Sequence, residues 1–387
     1  MLEIVRSLVR RQLALGGHCL LMSATLGEVL RAESQQRPRL PLAQALAVPY
    51  PAVNALSVAV ATVRSSLRVT GYATALGEVV ACVRGGGCAL VIRSTVDTAT
   101  ATYQELLAAG VPAMLHHSRY ADLDRQTLDA RLVGVIGKGG TRVPLAIVAT
   151  QTAEQSLDID ADLLVSDPAP SDVLLQRRGR LGRHRPHQVL PMLVLEPQAL
   201  EETAAVALRL AQGQRGKMPA GSEWAYVYDV LATLATLEAL RGKDRIAVPD
   251  DVRVLVETAT HPDSLQAFAQ RQGWLPLWQE TWGRRLTQRQ QAQGGLLDWS
   301  RPYAEQPVTE AVPTRLGEGS VTVELGVALA SPFTGSAIEA LPVPARWLRD
   351  VAPGTAGVPA LDGAGGYRVD IGQRRFNYGL LGLRRAG

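Results

Sequence analysis

Within the stretch DVLLQRRGRLGRH, residues 172–184, one glutamine and three arginines stand at spacings that a helix gathers. On a helical period Gln176, Arg180 and Arg183 share one face, and Arg177 sits beside them. Arginine is always charged and binds phosphate through a bidentate fork, so such a cluster aimed at one place suits a polyphosphate. Several elements must hold it. Leu145–Ala149 reads as a buried strand ending in polar Thr150 and Gln151, and a second apolar run, Leu163–Val165, ends at Asp167. Pro168 and Pro170 block an earlier helix start, Ser171 is a fair N-cap, and Gly179 and Gly182 loosen the helix end.

The pattern continues on either side. Ala89–Arg93 reads as a strand; Ala99, Tyr103, Leu106 and Leu107 form a helical stripe that Gly110 can end. A strand at Val111–Leu115, a helix near Leu123–Val133 and a last strand at Leu190–Leu195 complete the series. Alternation of this kind predicts an α/β fold with a doubly wound parallel sheet. Ligands of such sheets bind outside the carboxyl ends of the strands. Polar residues follow those ends four times: Ser94 and Thr95, His116 to Arg119, Thr150 and Gln151, and Asp167. Four such groups on one edge predict a continuous site.

The order T-Q-x-x-E-Q-S-L-D-I-D from Thr150, followed by Q-R-x-G-R-x-G-R from Gln176, resembles motifs V and VI of superfamily 2 helicases. The EQSLDID wording is similar to that of type I CRISPR-associated helicase-nucleases. HCLLMSAT, His18–Thr25, reads as an apolar strand with a polar end, and its S-A-T resembles helicase motif III. The resemblance implies two RecA-like lobes with ATP and magnesium between them. It casts Arg180 and Arg183 as fingers acting across the cleft, with Gln176 in support. Asp158, Arg177 and Gly179 become nucleotide-binding positions. Ser118, Arg119, Thr150 and Gln151 fall where the second lobe contacts a single-stranded DNA backbone, although Ser118 and Arg119 also suit a plain capped loop. Ser23 and Thr25 would couple nucleotide state to strand grip. Arg185, just past the motif, is expected to be replaceable.

Lobe one's own motifs do not occur in this sequence. None of the three Gly-Lys pairs is followed by Ser or Thr, as a phosphate-cradling loop requires, and there is no Asp-Glu or His-Asp dipeptide. GKGG at Gly137–Gly140 reads as a turn. His184 and His187 read as surface or DNA-backbone residues rather than a metal pair, so no metal ligands are expected here. The resemblance thus implies a chain that starts near the end of lobe one. Residues 1–30 would be a remnant of that lobe, 31–74 a connection, 75–200 the second RecA-like lobe and 201–387 a smaller mixed α+β C-terminal accessory domain. Beyond residue 223 lie all six Trp; core packing accounts for them better than base stacking.

Composition adds bounds. Only Lys138, Lys217 and Lys243 are lysines among the 40 basic residues, so an arbitrary arginine is a weak marker and motif position must promote it. A net charge of +4 permits nucleic-acid binding without demonstrating it. Three cysteines without a CxxC pair point to a reducing cytoplasm and no zinc site. The apolar stretch Ala45–Val63 is interrupted by Pro49, Pro51 and Asn54 and predicts strands near a domain junction, not a membrane span. The implied function is part of an ATP-dependent single-stranded DNA translocase of a CRISPR antiviral system. Its expected partners are a Cascade-type surveillance complex and, if it is encoded separately, the missing N-terminal half. Another superfamily 2 DNA or RNA helicase, or a non-catalytic DNA-binding lobe, remains open.

Overall fold

A computed structural model describes residues 2–20, 25–35, 37–48, 62–154, 157–294, 301, 305, 319–362 and 365–386. Contacts divide the chain into two compact units that are not consecutive stretches. The first comprises Met1–Val63, Pro168–Gln176 and Pro197–Arg315; the second comprises Arg64–Asp167, Arg177–Glu196 and Leu316–Gly387.

Elements are numbered along the chain. Helices α1 (Leu2–Ala14), α2 (Glu28–Ser34) and α3 (Leu42–Ala47) open the first unit. His18–Leu20 form no strand and Thr25 lies in a turn, while Leu21–Ala24 fall outside the described residues; the strand expected at His18–Thr25 is therefore not seen where it can be judged. The apolar run after Val48 also lies outside them as far as Ala61. Among the described residues no helix is long and apolar enough to cross a membrane.

The second unit is built on a sheet of β1 (Val63–Thr70), β2 (Cys88–Ile92), β3 (Ala113–His116), β4 (Leu145–Ala149), β5 (Leu163–Ser166) and β6 (Leu190–Leu195). Their order is β3-β4-β2-β5-β6-β1, all parallel. Every residue of CALVI in β2 is buried, the uninterrupted apolar run that a strand covered on both faces requires. Helices α4 (Tyr72–Arg84), α5 (Val96–Ala108) and α6 (Asp122–Ile136) connect the strands. The apolar stripes of α4 and α5 join the sheet's core through residues such as Val79, Val83, Ala99 and Leu106. Thr95 and Thr98 form a reciprocal capping box at the start of α5, and Gly110 (φ +70°) turns the chain after its end. GKGG after α6 is a turn, with Gly139 at φ +77°, and has no strand before it.

Helix α7 (Ser171–Arg178) contains the point where the chain passes from the first unit to the second. It corrects two expectations. Ser171 is its first residue rather than its N-cap, and the helix stops at Arg178, where Gly179 and the positive-φ Gly182 end the period. Arg180 and Arg183 therefore do not share a helical face with Gln176.

The first unit continues with α8 (Leu200–Ala211), α9 (Val230–Leu240), the short strand β7 (Arg245–Val248), α10 (Val252–Thr260), α11 (Pro262–Gln272) and α12 (Leu275–Gly294). Helix α9 is buried on every side from Val230 to Leu237, as its nearly all-apolar sequence demands. The second unit ends in a mixed sheet of β8 (Ser320–Ala330), β9 (Ala337–Pro344), β10 (Gly357–Leu361), β11 (Tyr367–Ile371), β12 (Arg374–Tyr378) and β13 (Arg384–Arg385). Its order is β13-β12-β11-β10-β8-β9, and its core of Leu341, Val369, Phe376 and Leu383 takes in Ala121 from the loop before α6. This sheet thus belongs with the parallel sheet, not with residues 201–315.

Candidate functional site

The four polar groups do lie side by side, because β3, β4, β2 and β5 are neighbours with their carboxyl ends on one edge. Asp167, at the end of β5, accepts from the Ser94 backbone N–H at 2.6 Å and pairs with Arg93 at 2.9 Å. Gln151 donates to the Ser94 carbonyl at 2.9 Å, and the Thr150 N–H donates to the His116 carbonyl at 3.1 Å. The buried His116 ring bridges Thr152 Oγ1 and Asp129 Oδ1, each at 2.7 Å. Burial holds its pKa below the ordinary histidine value, although Asp129 pulls the other way. Ser94 Oγ is buried without a partner.

Of the four residues expected to meet a nucleic-acid backbone, only Ser118 is exposed. Thr150 is 3% exposed and Arg119 8%. The Arg119 guanidinium is taken up by Asp97 at 2.7 Å and by the face of Trp347, 4.7 Å from the ring centre. The loop carrying these residues is gripped by the C-terminal sheet. Leu383 N–H donates to the Arg119 carbonyl at 2.9 Å, Tyr120 Oη to the Leu380 carbonyl at 2.8 Å, and Ala121 N–H to Tyr378 Oη at 3.0 Å. Tyr378 and Ser331 both donate to the buried Asp124 carboxylate. His117 stacks on Tyr120 (4.3 Å between ring centres), and burial lowers its pKa to about 3. Sequence reading singled out neither Trp347 nor Tyr378 for this role; they lie more than two hundred residues away, and no local pattern marks the pairing.

The arginine segment sorts its residues by burial. Arg177 is fully buried: its Nε donates to Glu154 at 2.7 Å, and its Nη1 donates to Ser166 Oγ at 2.7 Å and to the Asp167 carbonyl at 3.1 Å. Arg178 is also buried and donates to Ser65 Oγ at 3.0 Å. Arg180 reaches back to the Leu157 carbonyl at 2.5 Å and the Glu154 carbonyl at 2.6 Å, while its Nε is buried without a partner. Arg183 is exposed; its Nε donates to Asp158 at 2.5 Å and its Nη1 lies 3.5 Å from the Gly179 carbonyl. His184 shares the same Asp158 oxygen at 2.9 Å, and these two hydrogen bonds lower the Asp158 pKa. Arg185, expected to be replaceable, is instead held in an ion-pair network. It forks onto Asp160 at 2.9 and 3.1 Å and reaches Asp162 at 2.6 Å, where Arg142 also bonds.

Asp158, Arg177, Gly179, Arg180 and Arg183 thus converge on the loop after β4. Gln176 is exposed on α7, Thr25 is buried in the first unit, and Ser23 lies outside the described residues. The exposed Arg183 guanidinium is a charged donor that suits an anion such as a phosphate. Among the described residues no group of three or more His, Cys, Asp or Glu side chains could hold a metal ion.

The family model described as "CRISPR-associated nuclease/helicase Cas3, C-terminal" matches residues 85–186, the stretch that builds this site. A CRISPR-associated endonuclease/helicase Cas3 of Thermus thermophilus is 39% identical over 166 residues, covering 42% of this chain and 17% of that protein. The crystal structure of T. fusca Cas3-ATP superposes with a TM-score of 0.72 at 21% identity, covering 98% of this chain and 52% of that one. A chain from a CRISPR RNA-guided surveillance complex, pre-nicking, gives a TM-score of 0.66 at 23% identity over 99% of this chain and 55% of its own. The chain therefore spans about half the length of these solved relatives, and the sequence match covers about a sixth of the curated one. Residues 85–186 are thus similar in sequence to the C-terminal part of CRISPR-associated helicase-nucleases of the Cas3 kind, and the fold is similar over nearly the whole chain.

Proposed function

We propose that this chain supplies the second-lobe half of an ATP-driven, single-stranded DNA translocase. Arg180 and Arg183 would meet charge on a nucleotide whose phosphate loop and magnesium ligands come from a first lobe. The observation that carries this reading is the contrast between Arg177, saturated by buried partners, and Arg183, fixed at one nitrogen by Asp158 but open to solvent. Asp158 orients Arg183 without burying it, and the carbonyls of Glu154 and Leu157 orient Arg180. Bound ATP with magnesium would supply the hydrolysable phosphoanhydride; this chain's residues supply fixed positive charge, which is worth most where negative charge develops in the transition state.

Exposed Ser118, at the rim of the strand edge, would position a DNA backbone without reading sequence, as a translocating motor requires. Gln176 and Gly179 would border the nucleotide and Thr25 would couple its state to strand grip, with Ser23. The surveillance complex is the expected recruiting partner, and the free cysteines suit the cytoplasm.

The test is reconstitution. The 387-residue chain alone should hydrolyse ATP no faster than a blank. Adding a first lobe from a related helicase should produce DNA-dependent turnover. A folded complex of the two that binds ATP and DNA yet never hydrolyses would favour a non-catalytic DNA-binding lobe.

A further inference from the structure

Helix α10 holds two chain segments that the sequence places far apart, both within the first unit. On one side, Glu257 accepts the Glu28 backbone N–H at 2.9 and 3.1 Å, and Arg253 donates to the Leu26 carbonyl at 3.2 Å. Arg31 also donates to Glu257 at 3.2 Å. Between these grips Gly27 sits so close that a Cβ there would lie 2.6 Å from Thr260 Oγ1. Residue 255 points about 200° away around the helix from 253. There the Leu255 carbonyl accepts Ser171 Oγ at 2.5 Å, while the Ser171 N–H donates to Thr236 on α9 at 3.0 Å.

Leu26–Glu28 directly follows Thr25, and Ser171 is the root of α7, the helix that leads into the arginine segment. Glu257 is fully buried and Arg253 is 8% exposed. Burying a carboxylate and a guanidinium is costly unless both are paired, and apolar residues could glue these segments together without that cost. What directional bonds to backbone atoms add is orientation.

We infer that α10 is a strut fixing the segment after Thr25 relative to the root of α7, with Arg253 and Glu257 as positioning residues for coupling. The consequence for turnover rests on the function proposed above; the mechanical linkage does not. If the helix is rigid enough to carry both grips, loosening one should loosen the other, and the two effects should match because coupling free energies are reciprocal.

Amide hydrogen exchange on the full chain tests the linkage. Ser171→Ala should speed exchange of the Glu28 amide about tenfold, and Glu257→Gln should speed the Ser171 amide by a comparable factor. The sheet amides of Leu90 and Val148 should not change, and Arg253→Lys, which keeps the charge, should have a smaller effect than Glu257→Gln. Acceleration confined to each substituted side, or uniform acceleration that includes the sheet, contradicts the strut.

In the complex with a first lobe, Glu257→Gln should cut nucleotides translocated per ATP hydrolysed about tenfold at unchanged KM for ATP, the signature of lost coupling. A merely structural role would lower translocation and hydrolysis together and leave that ratio intact, which would overturn the coupling role. Failure of the parent complex to hydrolyse would instead count against the proposed function, and exchange would still decide the linkage.

Discussion

Arg177 and Arg183 stand six residues apart in the same motif, yet the fold treats them as different materials. Arg177 is sealed among Glu154, Ser166 and the Asp167 carbonyl, so its charge ties the arginine segment to the two strands whose loops it meets. Arg183 keeps one bond to Asp158 and leaves much of its guanidinium in water. A buried, saturated guanidinium has nothing left to offer a ligand. An exposed one that is anchored but not enclosed is oriented and still available. Motif membership alone therefore does not assign a role, and desolvation separates the brace from the candidate finger.

Substitutions should widen this contrast. Arg177→Ala leaves the largely enclosed Glu154 carboxylate unpaired, and losing one partner of a buried pair costs roughly 3–5 kcal/mol. Chemical denaturation should show an early midpoint or no folded baseline. A midpoint equal to that of the parent would mean that Arg177 braces nothing.

Next in size is a pH effect on the loop that carries Ser118. His117 has a folded pKa of about 3, set mainly by burial, against about 6.5 when unfolded. The unfolded chain alone takes up this proton between those values, so the histidine's contribution is intact above about pH 6.5 and is lost as pH falls toward 3. Comparing denaturation midpoints at pH 7 and pH 5 should show a steeper fall for the parent than for His117→Asn. Equal falls in the two proteins would remove His117 from the acid sensitivity.

Smaller still is the effect of charge at the rim. Ser118→Glu should weaken single-stranded DNA binding about tenfold with no change in stability, and affinity of the parent should fall steeply with salt. Salt-insensitive binding, or strong preference for one sequence, would contradict a backbone-tracking surface. The smallest effect belongs to Arg183→Ala, which breaks an exposed pair and a long bond to the Gly179 carbonyl and should leave the denaturation midpoint where it was. A large loss there would make Arg183 a second brace and erase the comparison.

Much of this was legible in local pattern. The apolar runs at Leu145–Ala149 and Leu190–Leu195 are strands with those bounds, and four polar groups after strand ends do form one edge. The helix expected to carry Arg180 and Arg183 was over-extended, because a face drawn at 3.6 residues ignores Gly179. What could not be read is long-range polar pairing. Glu154 taking Arg177, Trp347 under Arg119, and Glu257 holding Glu28 each join residues from 23 to 229 positions apart. No periodicity encodes such partners. The same reason hid the attachment of the C-terminal sheet to the loop at 117–121, where Leu383 N–H and Tyr120 Oη donate across it and Tyr378 Oη accepts from the Ala121 N–H.

Turnover by arginine variants in the complex with a first lobe bears most directly on the central claim. Arg183→Lys and Arg180→Lys should each largely abolish DNA-dependent hydrolysis while nucleotide affinity changes far less, because a point-charge ammonium cannot reproduce the guanidinium fork in the transition state. The control must be an arginine outside the network, such as exposed Arg215, since Arg185 is committed to Asp160 and Asp162. A folded, active complex in which Arg180→Lys, Arg183→Lys and Arg215→Lys are equally harmless would contradict the account.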